Sequence, residues 1–285
     1  MPSPTSAIDQ SIPAELAIDC PTATRVLSRF IRTEVRRTGF RRVVIGLSGG
    51  VDSATSAALA CRALGARNVL CVLLPYRTSS PDSLRDARRL ARQLGAPTRR
   101  IDISPMIDAY FRLQPRASRV RRGNKMARER MSILYDLSVR EQALVLGTSN
   151  KTELLLGYGT IHGDMASALN PLGDLFKTQV RLLAEQLGIP RAIVWKTATA
   201  DLWKGQSDEQ ELGYAYRDID RLLALLVGRR ASATAAVAAG FPRLMVVRVT
   251  GMITSSQFKR RPPLIAKLGP RTVNIDFRYP RDWGR

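Results

Sequence analysis

The stretch Val43-Val44-Ile45-Gly46-Leu47-Ser48-Gly49-Gly50-Val51-Asp52-Ser53 decides how this chain folds. Its first half is an apolar, β-branched run of the kind that fills a buried strand. Ser48-Gly49-Gly50 breaks the run, and the Ala-rich segment Ala54 to Ala63 that follows reads as a helix. Paired glycines let main-chain N–H groups turn toward one point with no Cβ in the way, and the free amides of the next helix add to that field. An anion is expected there. The loop is not a Walker loop, because Gly50 is followed by Val51-Asp52 rather than by Lys and Ser or Thr. It is not a dinucleotide fingerprint either, since no third glycine opens the helix.

Upstream, Thr22 to Thr38 carries Leu27, Phe30, Ile31 and Val35 at helical spacing and stops at Gly39. Downstream, Val69 to Leu74 reads as a second strand, and Ser80-Pro81 starts a helix with Leu84, Ala87, Ala91 and Leu94 inward and Gly95 as its stop. Arg99 to Ile103 and Ala143 to Leu146 read as strands three and four. This alternation predicts an α/β fold, an open parallel sheet with helices on both faces. A helix over Phe176 to Leu187 follows, and extra C-terminal helices are expected over Leu222–Val227, Ala231–Ala239 and Arg243–Phe258. Residues 1–21 are expected to form a flexible N-terminal extension, 22–263 the α/β domain and 264–285 an extended basic tail.

The composition has a core's worth of apolar residues, 45% of 285, but 45 Lys and Arg against 24 acids give a net charge of +21. Such a balance attracts polyanions, whether nucleic acid or a multiply phosphorylated small molecule. Cys20, Cys61 and Cys71 have no metal or redox spacing; Cys61 and Cys71 read as small core residues, which suits a reducing, cytoplasmic setting. The first basic residue is Arg25, after acids at Asp9, Glu15 and Asp19, which argues against secretory and mitochondrial leaders. No uncharged apolar run approaches the roughly 20 residues of a membrane helix.

In an open parallel sheet, ligands collect beyond the carboxyl ends of the strands. Three further groups of residues are expected at that edge. The run Arg116 to Arg130 holds seven basic residues and the acid Glu129; alone it reads as a solvated helix face, but ahead of strand four some of its arginines can address phosphates. After strand four come Thr148, with a hydroxyl, and Glu153, a second carboxylate. Asp52 and Glu153, from the ends of different strands, can share one magnesium ion, because a hard cation takes carboxylate oxygen beside phosphate oxygen. Each can equally be an ordinary helix-start acid. Lys177, in a first helical turn, opposes the helix dipole, which a bound anion would explain. The Gly-rich loop Gly157 to Asn170 is a substrate-loop candidate; its His162 has no visible partner acid beyond Asp164 and reads as a surface or packing residue. Lys196 to Gly213, with Thr199, Asp208, Glu209 and Glu211, is a second loop region.

Ser48 to Ser53 resembles the pyrophosphate loop of the N-type ATP pyrophosphatases, which split ATP between its α and β phosphates. Taken with Gly123-Asn124, Ala127 to Met131, Gly147-Thr148, Asn150-Lys151, Glu153, Gly163-Asp164, Asn170 to Leu175, Lys177-Thr178, Ala200 to Trp203, Gly205-Gln206, Asp208-Glu209 and Phe258 to Arg261, the chain resembles ammonia-dependent NAD synthetase from about residue 25 to about 263. The resemblance implies an adenine nucleotide α-hydrolase-like sheet and a ligase. ATP adenylylates the nicotinate carboxylate of deamido-NAD; ammonia then displaces AMP and leaves NAD. It implies that Gly46, Leu47, Ser48, Gly49, Gly50, Val51, Asp52 and Ser53 bind ATP with Thr148, Lys177 and Thr199. It further implies that Asp52 and Glu153 bind Mg2+, that Arg128, Phe258 and Lys259 bind deamido-NAD, and that the enzyme is a homodimer.

The loop alone also resembles tRNA-modifying ATP pyrophosphatases that adenylate a base. Those relatives share only Ser48 to Ser53 with this chain, so nucleic acid is not the expected partner. Free ammonia is the expected nitrogen donor, because about 40 residues precede the loop where glutamine-dependent relatives carry an amidase domain. One departure stands out. Where many bacterial members place a Lys two residues before Gly-Asp and an Asp four residues after it, this chain has Ile161 and Ala168. Arg128, Asp164 and Lys259 are the expected replacements in dinucleotide recognition.

Overall fold

Alternation along the central strands creates the two faces of the sheet. In β1 (Arg42–Gly46), Val43 and Ile45 enter one core and Val44 the other. In β2 (Val69–Leu73), Val69, Cys71 and Leu73 share the face of Val43, while Val72 joins Val44. Both strands are apolar at nearly every position because both faces are covered. The first face is covered by α1 (Cys20–Arg37), α2 (Val51–Leu64), α3 (Pro81–Leu94), α7 (Lys177–Gln186) and α8 (Arg191–Val194). The second is covered by α4 (Ser104–Arg112) and α5 (Arg119–Arg140). The computed structural model describes residues 13–203, 205–273 and 275–276.

With β3 (Thr98–Arg100) and β4 (Ala143–Val145), the sheet has the order β3-β2-β1-β4, all parallel. Val44 stands opposite both Leu70 and Val145. The chain winds outward from β1 to β3 and then returns to the other side of β1, so the strand order reverses between β1 and β4. A crevice opens beyond the carboxyl ends of those two strands, and the Gly-rich loop lies at its rim.

The expected open parallel sheet with helices on both faces is therefore present. β3 is shorter than expected: the chain turns at Asp102, whose side chain accepts the Ser104 amide at 2.8 Å, and α4 begins at Ser104. The extension expected over residues 1–21 is corrected from Pro13 onward. Ala14–Leu16 forms a 3-10 turn with Leu16 fully buried, Glu15 pairs with Arg221 at 3.1 Å, and Asp19 caps α1 through the Thr22 amide. Residues 1–12 lie outside the described residues, as do 277–285 of the expected tail.

Leu16 belongs to a third core, away from the two sheet faces, formed with α6 (Lys151–Leu156), α10 (Tyr216–Leu223), α11 (Ala233–Ala238) and α12 (Arg243–Ser255). The short α9 (Asp208–Leu212) contributes Leu212, inside what the sequence suggested was loop. Fully burying a side chain such as Leu222 contributes about 1.5–3 kcal/mol. A polar pin ties this core to the sheet: buried Asp220 accepts from Thr152 Oγ1 (2.5 Å), Thr178 Oγ1 (2.6 Å) and the Thr178 amide (2.8 Å), joining α10, α6 and α7. Among the described residues no helix is long and apolar enough to cross a membrane.

Candidate active site

The loop after β1 is held closed by its own serines. Leu47 N still donates to Val72 O (2.9 Å) in the manner of the sheet, and then the chain turns. Ser53 Oγ takes the Ser48 amide (3.2 Å), donates to Gly50 O (3.1 Å) and lies 3.0 Å from Ser48 Oγ. Gly49 has φ +85°, and a Cβ there would stand 2.2 Å from Ser83 O on α3. Only glycine meets both demands. Gly50 caps α2 without a side chain, so the first amides of α2 remain available to an anion.

The loop forms one wall of a cavity of about 480 Å3 that also contains Thr148, Glu153, Asp164, Lys177, Thr199 and Lys259. On its far side the segment 196–203 is strapped to the start of α3: Lys196 Nζ reaches Asp86 (2.7 Å) and Ser83 Oγ (3.0 Å), and Asp201 accepts the Ser80 amide (2.9 Å). Thr199 Oγ1 accepts the Asp201 amide (3.1 Å) within this strap.

At the cavity's inner end Asp52 and Glu153 converge. Lys177 Nζ lies 2.6 Å from Asp52 Oδ2 and 3.2 Å from Glu153 Oε1, with its side chain 3% exposed. Asn150 completes the set. Its Nδ2 donates to Asp52 Oδ1 (2.9 Å), and its N–H reaches Glu153 Oε2 (3.3 Å) in a capping box that starts α6. Burial pushes the Glu153 carboxyl up to about 8, with Lys177 opposing and Asp52 adding to the shift. Burial also works against the Lys177 charge, but the two acids outweigh it and hold the ammonium above its ordinary range. Below them, Asp208 accepts from Tyr158 (3.1 Å) and Tyr216 (3.2 Å), and burial raises its carboxyl. The Tyr216 ring lies 5.1 Å from Lys177 Nζ.

Two of the expected site residues stand apart from this cavity wall. Arg128 is exposed, and its Nε donates to Ile161 O (3.1 Å), so the carbonyl of the departed position engages it. Phe258 is 62% exposed. Lys259 does reach the wall, where Nζ donates to Gly157 O and Gly159 O (2.8 Å each) beside Asp164, which accepts the Thr160 amide at 2.9 Å. Ala168 contributes main chain, donating to Val145 O. His162 is exposed, with φ +61°.

From Arg119 onward the basic run forms the first turns of α5, with Arg116 just ahead of its Ser118 cap. Arg119 stacks over Trp203, Arg122 over Phe111, and Arg116, Arg121 and Arg128 are exposed. Arg130 is the member that lines the cavity, anchored by Nε to Leu74 O at 3.0 Å. Sequence reading gave no role to Tyr158 or Tyr216, named Asn150 only within the resembling motifs, and left open which arginine of the basic run would address phosphates. The helical phase of Ala127 and Met131, both buried, was the available signal for Arg130.

The family profile for NAD synthase matches residues 23–263. This chain belongs to the NAD synthase family. It is 51% identical over 272 residues to the NH(3)-dependent NAD(+) synthetase of Trichlorobacter lovleyi, covering 95% of this chain and 100% of the relative. It is also 51% identical to that of Chlorobaculum parvum, over 95% of this chain and 98% of the relative. The NH3-dependent NAD synthetase from Campylobacter jejuni superposes with a TM-score of 0.75 at 34% identity, over 88% of this chain and 100% of that one. An NMN synthetase from Francisella tularensis gives 0.78 at 31% identity, over 88% and 99%. The cavity between β1 and β4 is thus the candidate active site of an NAD synthase fold.

Proposed function

We propose that the protein makes NAD from deamido-NAD, ATP and ammonia through an adenylylated nicotinate carboxylate. The observation that carries this reading is the convergence of the Ser48–Ser53 loop, Asp52 and Glu153 at the strand-order reversal of a chain half identical to NH(3)-dependent NAD(+) synthetases. A carboxylate is a poor electrophile, so its oxygen first attacks the α phosphate. The leaving pyrophosphate is received by the loop amides and the start of α2. Ammonia then attacks the activated carbonyl and AMP leaves. No protein nucleophile is needed; holding the reactants and neutralising phosphate charge supply the catalysis.

Thr148, Thr199 and Arg130 all line the cavity; in this reading the two threonines would contact the nucleotide and the Arg130 guanidinium the anionic substrates. Asp164 and Lys259 shape the substrate loop at the cavity mouth. The donor set suits magnesium: two hard oxygens already meet on one cation, the Lys177 ammonium. Among the described residues no group of three or more His, Cys, Asp and Glu side chains is suited to a metal, so the remaining ligands come from phosphate and water, the usual habit of this ion. Bound there, it would neutralise charge on the triphosphate. We further assign the family's homodimer to this chain; exposed Phe258, beside Lys259, is then available to a second copy.

The matched relatives named NH(3)-dependent support ammonia as the donor. The test is amide formation with ammonium, ATP and magnesium, offering deamido-NAD and nicotinate mononucleotide side by side. Preference for deamido-NAD supports this reading. Preference for the mononucleotide would move the substrate toward that of the structural neighbour named NMN synthetase.

A further inference from the structure

Every carboxylate oxygen of the two acids already has a donor. Asp52 Oδ2 and Glu153 Oε1 face Lys177 Nζ, while Asp52 Oδ1 and Glu153 Oε2 face Asn150. The arrangement is built rather than incidental. The Lys177 side chain is buried, its backbone amide donates to Thr152 Oγ1 at 3.0 Å, and its ammonium lies by the Tyr216 ring. A cation at the first residue of α7 is opposed by the helix dipole, so the two acids are what hold it there.

Taking Asp52 and Glu153 as the metal ligands of the proposed function, we infer that Lys177 is a resident counter-cation that keeps divalent metal out of the nucleotide-free site and yields to it only when nucleotide phosphates arrive. Magnesium needs close oxygen contacts in near-octahedral order. It cannot take an oxygen from each acid while the ammonium lies between them. Two cations competing for the same oxygens also repel each other in a partly desolvated site. A triphosphate changes both terms, since its oxygens offer Lys177 another acceptor and the metal further ligands. Metal and nucleotide therefore enter together. Lys177 thus offsets part of the charge of the two acids in the free site and keeps them converged before substrate binds.

The test reads the site itself. The full chain is labelled with 3-fluorotyrosine and the Tyr216 19F signal, assigned with Tyr216→Phe, is followed as paramagnetic Mn2+ is added. Selective broadening of Tyr216 is expected with α,β-methylene-ATP present and not with Mn2+ alone. In Lys177→Met without nucleotide, half-broadening is expected at about tenfold lower Mn2+ or less than in the unmodified protein, a coupling of ordinary size between two ligands. Adding Asp52→Asn should remove that gain. Equal broadening of the unmodified protein with and without the analogue overturns the inference, even if Lys177→Met fails to fold. Broadening absent under every condition removes the metal from these acids, overturning that part of the proposed function and this inference with it.

Discussion

Asp52 and Glu153 lie 101 positions apart in the chain yet meet at one ammonium, and their carboxylates are the groups whose loss should matter most. Asp52→Asn and Glu153→Gln are each expected to lower ATP-dependent pyrophosphate release by about 100-fold or more, the scale of losing a preorganised electrostatic contact. Each should retain the native far-UV circular dichroism, because the amide keeps the side chain's shape. Normal release from either variant would remove that acid from the site. The cysteines give a residue-scale prediction of opposite kind. Burial pushes the Cys61 thiol up to about 11 and the Cys71 thiol up to about 12, and raises Cys20 less. With folded values above unfolded ones, the Cys61 and Cys71 thiols contribute stability that is fully present below pH about 9 and is lost as pH rises through about 11 to 12. Iodoacetamide at pH 8 should modify Cys20 at most in the native protein, and all three cysteines in urea, as read by mass spectrometry. The carboxylates were legible from the sequence because loop chemistry announces them. The partner of Lys177 was not, since a phosphate and two acids 125 and 24 residues away make the same demand on a lysine. Similarly, two arginines two positions apart differ only in helical phase, and it is Arg130 that faces the cavity while Arg128 faces the loop.

At the scale of elements, the Gly-rich loop works because α3 approaches it closely. Gly49→Ala would force a Cβ to within 2.2 Å of Ser83 O at a positive φ, so either the loop or the start of α3 must shift. A loss of more than about 1 kcal/mol of stability is expected, with the larger effect on the Michaelis constant for ATP. Thermal unfolding and ATP kinetics check both; an unchanged Michaelis constant would show that the loop does not carry the phosphates. The strands and the helices around this loop were readable because apolar period and glycine stops agree with one another there. α5 was read only as the face of a basic run over Arg116 to Arg130, although it is one helix of 22 residues that continues to Arg140. Its basic first turns point outward and mask the inward spacing of Met126, Met131, Leu134 and Leu137. α9 hid for a related reason: five residues with three acids carry too little apolar pattern to announce a helix.

For the whole molecule, the excess of 21 positive charges is spread along the whole sequence, and among the described residues Arg130, Lys177, Lys196 and Lys259 are the basic side chains lining the cavity. Most of the charge is thus a property of the surface, outside the chemistry. The assigned homodimer predicts about twice the 31.5 kDa chain mass in sedimentation equilibrium, and Phe258→Glu should shift the protein toward the single-chain mass. A monomer at micromolar concentration would remove the second copy from the account. The most direct test of the central claim follows the oxygen that the chemistry moves. With deamido-NAD carrying 18O in its nicotinate carboxylate, together with ATP, magnesium and ammonium, one labelled oxygen should appear in AMP for each NAD formed and none in pyrophosphate. Unlabelled AMP, or label in pyrophosphate or free phosphate, would contradict attack of the carboxylate on the α phosphate and with it the adenylylated intermediate.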